Sequence, residues 1–317
     1  MANKKEPKAC FITSIGGQAL MEGILMRGPK KQAIVCRTAD GLVEKIEELH
    51  PLKEKYKFFG LPLVRGCVTF IESLVKGMSA LMYSAELLPE ELQEDDPIDK
   101  WIEEHFSGDK AMKIIIGVSA VLGVALSLFL FVFLPTFIIG LIKPLKTNFF
   151  ARNLSEGALK VVILLAYMKL CTLVPDVKRL FSYHGAEHKT IYCYEHGKEL
   201  TVENVRPESK YHPRCGTSFL LVVVLVSILV NSVVRVANTF ARMGCHLLLL
   251  PVVVGISYEI NRWCGMHDNR LSSILSAPGK MLQRMTVFEP DDGMIECAIR
   301  AMELVIPEEK GIDEWGK

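Results

Sequence analysis

The charge-free stretch IIIGVSAVLGVALSLFLFVFLPTFIIGLI, residues 114–142, decides the fold class of this chain. It is longer than the roughly 20 apolar residues that an α-helix needs to cross a bilayer. A second charge-free stretch covers residues 216–234. The core of a soluble protein does not require apolar runs of this length, so the sequence predicts a membrane protein.

The composition agrees with a membrane protein that also has substantial water-exposed parts. Of the 317 residues, 50% are hydrophobic and 23% are charged, and the mean hydropathy is +0.26. The net charge of +1 argues against a nucleic-acid-binding protein, which would carry a basic patch or stripe. The high aliphatic content excludes a disordered chain. We therefore expect the lipid bilayer, and no nucleic acid, as a partner.

Four segments are predicted to cross the membrane, namely residues 112–141, 157–174, 216–234 and 243–260. The expected fold class is mainly α, a polytopic membrane helical bundle with a small mixed α/β N-terminal cytoplasmic region. Four crossings would leave both termini and segment 175–215 on one side. Flanking Lys and Arg residues do not decide which side this is. The nine scattered cysteines indicate reduced thiols, hence the cytoplasmic side of the cell (inner or plasma) membrane.

The chain is expected to divide into consecutive regions. The first, 1–60, contains a Gly-Gly-Gln/Met-Glu-Gly motif and a β-hairpin around Asp40-Gly41. In the second, 61–110, apolar residues at helical spacing predict an amphipathic helix within 61–88, and the acidic run 90–104 predicts a linker. The remaining regions are the transmembrane bundle 111–262 with a central metal-binding loop at 175–215, and a C-terminal cytoplasmic segment 263–317 containing a helix over 289–302 that is capped near Asp291.

The segment YHGAEHK, residues 183–189, carries the most informative chemistry. His184 and His188 are four residues apart, so a helix would place both on one face, within reach of one metal ion. Glu187 falls on nearly the same face. The pattern is H-x-x-E-H, in which two histidines bind zinc and the glutamate activates water. Gly185 weakens the assumption that this segment is helical.

A second pair of zinc-type ligands, His212 and Cys215, lies three residues apart just before an apolar stretch. With His184 and His188 they would form a closed, structural site, whereas three ligands and a water would leave an open position with Glu187 as general base. Glu259 is either a further ligand or an anchor at the membrane interface. The simpler alternative is that His212 and Cys215 bind no metal and only mark the start of a helix.

A glycine-rich motif near the N-terminus, GGQALMEGILMRGP at residues 16–29, contains Gln18, Glu22 and Arg27. The paired glycines make this stretch a poor helix and a poor strand, and they suit close backbone approach to a chain segment, a ligand or the metal pocket. No Gly-Lys-Ser/Thr sequence follows, so it is not a phosphate-binding loop. A structural turn is the simpler interpretation.

Five segments together resemble motifs of the YqhQ-like family, a bacterial membrane-protein family of unknown function described as predicted metal-dependent enzymes. They are GGQALMEGILMRGP (16–29), YHGAEHKT (183–190), HPRCGTSFL (212–220), SYEI (257–260) and EPDD (289–292). The sequence of residues 278–288 differs from the sequence usual in the family, which puts any role of Thr286 in doubt. The resemblance implies a membrane protein with a metal centre built from the His, Glu and Cys residues of the second and third segments. It implies no substrate.

Three functions remain open from the sequence. The first is a zinc-dependent membrane-embedded hydrolase in which Arg27 or Arg214 stabilises an oxyanion and the substrate is unknown. The second is a membrane scaffold or regulator with a structural zinc site and an unidentified protein partner, which Cys215 favours. The third is a metal transporter or sensor. Homo-oligomerisation is possible because four helices do not necessarily close a pocket.

Overall fold

The computed structural model describes residues 9–88, 109–146, 148–267, 269–309 and 311–315. The predicted acidic linker at 90–104 lies outside the described residues. The chain is mainly helical with one N-terminal antiparallel sheet, as the sequence predicts. It forms two compact units: unit 1 takes in the described parts of Met1–Leu88, Tyr167–Val223 and Pro251–Lys317, and unit 2 those of Pro89–Ala166 and Val224–Leu250.

The sheet of unit 1 is a four-stranded meander in the order β1-β2-β3-β4. Its strands are β1 Gly16–Leu20, β2 Gly23–Arg27, β3 Lys31–Thr38 and β4 Gly41–Glu48. The predicted hairpin around Asp40-Gly41 is confirmed, with Thr38 paired to Gly41 across the turn. Gly41 has φ +125°, a conformation that only glycine adopts easily.

The glycine-rich motif forms strands β1 and β2, so the expectation that it makes a poor strand is wrong. The two strands pair in antiparallel register from Gly16–Arg27 to Leu20–Gly23. A Cβ at Gly23 would lie 2.6 Å from the Val35 carbonyl oxygen, so this strand position has no room for a side chain. Burial and close packing outweigh the low strand preference of glycine here.

Unit 1 also contains most of the shorter helices, and it includes residues of three of the apolar helices described below. Its own helices are α1 Leu52–Lys55, α2 Val64–Glu86, α6 Pro175–Glu195, α7 Val202–Val205, α10 Arg270–Thr286 and α11 Asp292–Glu303. Helix α2 confirms the predicted amphipathic helix. Helix α11 confirms the predicted C-terminal helix, and the Asp291 side chain caps it by accepting a hydrogen bond from the Met294 N–H at 2.9 Å. The main core lies where α6 and α11 pack on one face of the sheet.

Segment 175–215, predicted as a central loop, is helical over half its length because α6 occupies it. Pro175 begins the helix, where its missing N–H costs nothing. Gly185 sits inside α6 because the backbone of Phe288 passes against it: a Cβ at Gly185 would lie 2.1 Å from the Phe288 carbonyl oxygen. The glycine therefore permits close packing and does not end the helix.

The apolar helices are α3 Asp109–Leu128, α4 Leu134–Leu141, α5 Phe149–Cys171, α8 Gly216–Asn231 and α9 Thr239–Met266. A π-helical turn, Phe129–Phe133, joins α3 to α4 just before Pro135, whose ring disrupts regular α-helical bonding. Two helical stretches, Gly117–Leu141 and Thr239–Met266, are long and apolar enough to cross a membrane, and α5 with α6 would make a third if counted as one broken span. This is compatible with a membrane protein.

The prediction of four spans is not confirmed. Helix α8 ends at Asn231 after 16 residues, about 24 Å at the helical rise, which is less than the roughly 30 Å of a bilayer's hydrocarbon core. Residues 232–234 continue the apolar run but leave the helix. Helix α5 carries buried charged residues within its length, so by itself it is not a continuous apolar span.

Those buried charges form an ion-pair network inside unit 2. The Glu156 carboxylate accepts from Arg152 Nε at 3.1 Å and from Arg242 Nε at 2.9 Å, and both arginines are fully buried. Arg242 also donates to the Val234 carbonyl at 2.8 Å and Arg152 to the Ala237 carbonyl at 3.0 Å. The network thus holds the link between α8 and α9 by its backbone oxygens.

Candidate functional site

Two histidines of α6 and one cysteine converge in unit 1. His184 and His188 lie one helical turn apart, and the centroids of their rings are 4.3 Å apart. His184 Nε2 lies 3.1 Å from Cys215 Sγ. One potential ligand atom from each of the three residues falls within 4.8 Å of the others. The predicted one-face arrangement of the H-x-x-E-H pattern is therefore confirmed, with Cys215 beside it.

Backbone carbonyl groups fix the orientation of both imidazoles. His184 Nδ1 lies 3.0 Å from the Thr286 oxygen, and His188 Nδ1 lies 2.6 Å from the Lys210 oxygen. Because a carbonyl oxygen can only accept, each Nδ1 must carry the proton, and each neutral ring then has its lone pair on Nε2. His188 Nε2 is buried and has no hydrogen-bond partner among the described residues.

Glu187 lies against the first strand of the sheet. The backbone N–H of Gly17 donates to its carboxylate at 2.9 Å. A Cβ at Gly17 would lie 3.0 Å from the Glu187 side chain and 2.7 Å from the Leu25 carbonyl oxygen, so this glycine permits the contact. Burial raises the pKa of Glu187, and the charge of His184 and the Gly17 hydrogen bond act in the opposite direction without cancelling it.

His212 lies beside the cluster but outside the group of three converging ligand atoms. Its Nε2 is 3.4 Å from Glu195 and 3.3 Å from a guanidinium nitrogen of Arg214, which is itself paired with Glu195. Gln283 holds the His212 backbone through two hydrogen bonds, of 2.9 and 2.7 Å. Burial lowers the pKa of His212 to about 3 despite its contact with Glu195. The sequence prediction of a four-ligand set thus becomes a three-residue cluster with a neighbouring neutral imidazole.

A cavity of about 500 Å³ opens next to this cluster within unit 1. Glu187 and His188 line it, together with His212 and Arg214. The N-terminal motif contributes Gln18 and Arg27 to the lining of the same cavity, so two of its predicted site residues do reach the candidate site. The cavity volume falls in the range of small-molecule sites.

Two other candidate residues lie elsewhere, each in an ion pair. Glu22 is bound by Arg37 at 3.1 Å, by Arg179 and by the Tyr183 hydroxyl at 3.1 Å. Burial would raise the pKa of Glu22, but the hydrogen bonds and charges of the two arginines outweigh it and the pKa lies below its ordinary value. Glu22 therefore ties the β1–β2 turn to α6.

Glu259 is the second of these residues. Both of its carboxylate oxygens accept from Arg65, one of them at 2.7 Å from Arg65 Nε. Neither oxygen belongs to the converging His/His/Cys group. The structure thus places Glu259 in an ion pair between α2 and α9, which supports the anchor interpretation more than the ligand interpretation.

From the sequence, no role was assigned to three groups that shape the site. Thr286 and Lys210 act through backbone carbonyls, which leave no side-chain signature. Glu195 is seven residues after His188, a spacing that puts both on one helix face, so this signal was available. Lys76 and Arg262 also line the cavity, and no local motif marks them.

Comparison with known proteins assigns the chain to a family. Residues 61–308 match the model described as "Protein of unknown function (DUF1385)". The chain belongs to the DUF1385 family. It is also 33% identical over 304 residues, 95% of this chain and 93% of the relative, to a protein of Bacillus subtilis (strain 168) named "Uncharacterized protein YqhQ". No solved structure matches the chain.

The residues matched by the DUF1385 model include the whole of α6 and the Cys215 turn. Strands β1 to β4, which supply Gly17 and Arg27 to the site, precede the matched residues. The alignment with the Bacillus relative covers nearly the whole chain. The family description names no activity, so function must be argued from the site.

Proposed function

We propose that this DUF1385 protein is a membrane-associated, metal-dependent hydrolase with zinc held by His184, His188 and Cys215. The observation that carries the proposal is the anchoring of both imidazoles through Nδ1 to backbone carbonyls, at 3.0 and 2.6 Å. Metal-binding histidines typically donate their second N–H in this way, which fixes the ring and directs the free nitrogen to the metal.

The chemistry of the donor set fits zinc. Two imidazole nitrogens and one thiolate sulfur are ligands that zinc prefers. The buried and unpartnered Nε2 of His188 supports a bound ion, because an unsatisfied buried acceptor costs about 1–3 kcal/mol. The three potential ligand atoms lie within 4.8 Å of one another. Ligand atoms around one zinc lie ~3–4 Å apart, so these side chains need to move only slightly closer together to bind it.

Three protein ligands support a catalytic site more than a structural one. Catalytic zinc sites typically use three protein ligands and keep one position open, whereas structural sites use four. His212, the residue that would complete a fourth position, has its Nε2 against Glu195 and Arg214. When bound, zinc would polarise a water molecule or a substrate oxygen at the open position.

Glu187 is the proposed general base. It lines the same cavity as His188 and is oriented by the Gly17 N–H. Its carboxylate would accept a proton from the attacking water as the water oxygen bonds to the substrate, and return that proton to the leaving group as the scissile bond breaks. Arg27, which lines the same cavity from strand β2, would stabilise negative charge that develops on the substrate.

A structural zinc site in a membrane scaffold is the second candidate. It is favoured by Cys215, which is buried and whose Sγ also contacts the Thr217 hydroxyl at 3.0 Å. A cysteine ligand is more frequent in closed sites than in hydrolytic ones. This function requires no role for Glu187 in chemistry.

Elemental analysis of the full chain purified in detergent tests the metal. We expect one zinc per chain in the wild type, loss in His184→Ala and retention in Glu187→Gln. His50→Ala is the matched control, because the His50 side chain is 83% exposed and does not belong to the His/His/Cys cluster. Absence of any divalent metal from gently purified wild type would contradict the proposal.

Hydrolysis of chromogenic carboxylate and phosphate esters separates the two candidates. In the hydrolase, Glu187→Gln keeps zinc but lowers turnover about 10²–10⁴-fold, the usual contribution of a general base. In the scaffold, Glu187→Gln has no effect on either quantity, and Cys215→Ala lowers the thermal stability. Full turnover by zinc-loaded Glu187→Gln would exclude Glu187 as the base.

A further inference from the structure

The cavity beside the His/His/Cys cluster is lined by three cations from three different elements. Arg27 comes from β2, Lys76 from α2 and Arg262 from the last turns of α9. Within the described part of the chain, none of the three has an ion-pair partner within 4.0 Å. Each is partly buried, so water alone compensates its charge incompletely.

The carboxylates that line the cavity, Glu72 and Glu187, are fewer than these cations and form no ion pair with them within 4.0 Å among the described residues. Glu187 accepts the Gly17 N–H, and Glu72 accepts the Leu52 N–H at 3.0 Å. The fourth cation, Arg214, is already paired with Glu195. Three cations therefore face two carboxylates, and the cavity carries an excess of positive charge before any metal is added.

Two of the cations also repel each other. Burial and the nearby charge of Arg27 lower the pKa of Lys76, although Glu72 and Glu47 act in the opposite direction. Like charges brought together in a half-buried wall destabilise a protein unless an anion binds between them. Such an arrangement is typical of anion-binding sites, where arginine forks and a lysine converge on a phosphate.

Helix α2 presents a second, apolar surface next to the cavity. Thr69, Ser73 and Lys76 face the cavity at helical spacing. The adjacent face of α2 exposes large apolar side chains: Ile71, Leu74, Val75 and Met78. A cationic cavity bordered by an exposed apolar helix face suits an amphiphile with a negative head group.

We infer that this cavity binds the phosphate group of the substrate through Arg27, Lys76 and Arg262, and that the substrate is a phosphate ester. That the bound phosphate ester is a substrate rests on the proposed hydrolase function. The chemistry of recognition is the same for a lipid phosphate and for a soluble phosphate ester. The apolar face of α2 favours the lipid. None of the three cations belongs to the His184/His188/Cys215 group, so we expect phosphate binding not to require zinc.

Equilibrium binding to the full chain in neutral detergent tests the inference without requiring turnover. The probes are dihexanoyl phosphatidic acid, its zwitterionic counterpart dihexanoyl phosphatidylcholine, and glycerol 3-phosphate. We expect phosphatidic acid to bind at least tenfold more tightly than phosphatidylcholine. The double substitution Arg27→Gln with Arg262→Gln, and separately Lys76→Gln, should weaken that binding about tenfold or more.

Arg284→Gln is the matched control, since Arg284 is exposed on α10 and does not line the cavity, and it should bind as the wild type does. Binding of phosphatidic acid but not glycerol 3-phosphate identifies a lipid ligand. Comparable binding of both, with the same dependence on the three cations, identifies a soluble phosphate ester. The inference is overturned if the cavity variants bind phosphatidic acid as tightly as the wild type does, or if the wild type binds phosphatidic acid no more tightly than phosphatidylcholine.

The two proposals fail separately. Zinc in the wild type without phosphate binding refutes the phosphate site and leaves the hydrolase standing. Phosphate binding that depends on the cations, in a chain without zinc, supports the phosphate site and refutes the hydrolase. Binding by His184→Ala at wild-type affinity would show directly that the cations act without the metal cluster.

Discussion

Gly185 provides the most direct test of how the site is assembled. Substituting alanine for glycine inside a helix ordinarily stabilises it by about 0.8–1 kcal/mol. At this position a Cβ would lie 2.1 Å from the Phe288 carbonyl oxygen and 3.3 Å from Pro290 Cδ. An ordinary carbon–oxygen contact is about 3.3 Å, so the Phe288 backbone must move away by roughly 1 Å.

That movement disturbs two hydrogen bonds. The Phe288 N–H donates to the Phe181 carbonyl at 3.0 Å, and two residues earlier Thr286 accepts from His184 at 3.0 Å. Loss of one bond costs about 0.5–1.5 kcal/mol, and overpacking costs about 1–3 kcal/mol. After subtracting the gain in helix propensity, we expect Gly185→Ala to lower the free energy of unfolding by about 1–3 kcal/mol and to reduce zinc content.

Thermal unfolding followed by circular dichroism, with elemental analysis of the same samples, measures both effects. Gly123→Ala is the control, because Gly123 is also in a helix and a Cβ there would have nothing within 4 Å. The control should melt at or above the wild-type temperature and retain zinc. If Gly185→Ala were as stable as the wild type and fully loaded, the close passage of Phe288 would not be what orients His184.

Three further predictions concern separate parts of the molecule. Glu156→Gln should destabilise the protein by about 3–5 kcal/mol in thermal unfolding, because it leaves two buried arginines without their anion, whereas the exposed Arg235→Gln should be neutral. Glu259→Gln should change stability by less than about 1 kcal/mol, since its ion pair is partly exposed, and should leave zinc content unchanged, whereas loss of zinc would favour the ligand interpretation of Glu259. Gly17→Ala should keep zinc but lower hydrolysis at least about tenfold, because a Cβ there displaces the Glu187 carboxylate, and unchanged kinetics would contradict that positioning.

The N-terminal motif forms strands where the preferences of its residues predict none. Glycine has a low preference for strands, so local reasoning predicts no strand at residues 16–29. The two strands form because Ile24 and Met26 enter the core against α6 and α11, while the glycines admit neighbouring backbone and the Glu187 side chain. A preference scale for isolated residues contains neither effect.

The apolar helices illustrate a second limit of local reasoning. An apolar run predicts how many residues can lie in hydrocarbon, but not where the helix stops. Helix α8 ends at Asn231, where the following backbone oxygens accept from Arg242 and Arg152. Arg242 lies only 8 residues from Val234, but Arg152 comes from α5, 85 residues from Ala237, so the end of the helix depends in part on tertiary contacts.

What the sequence determines by itself follows from periodicity and from ligand chemistry. The apolar runs, the amphipathic α2, the Asp40-Gly41 hairpin and the placement of His184 and His188 on one face each depend on neighbours within a few residues, and local geometry governs them. The tertiary structure decides the rest. Thr286, 102 residues from His184, orients that imidazole through a backbone carbonyl, and Cys215 joins the cluster while His212 pairs with Glu195. Backbone carbonyls have no sequence signature, and competition between nearby partners is settled only when the chain is packed.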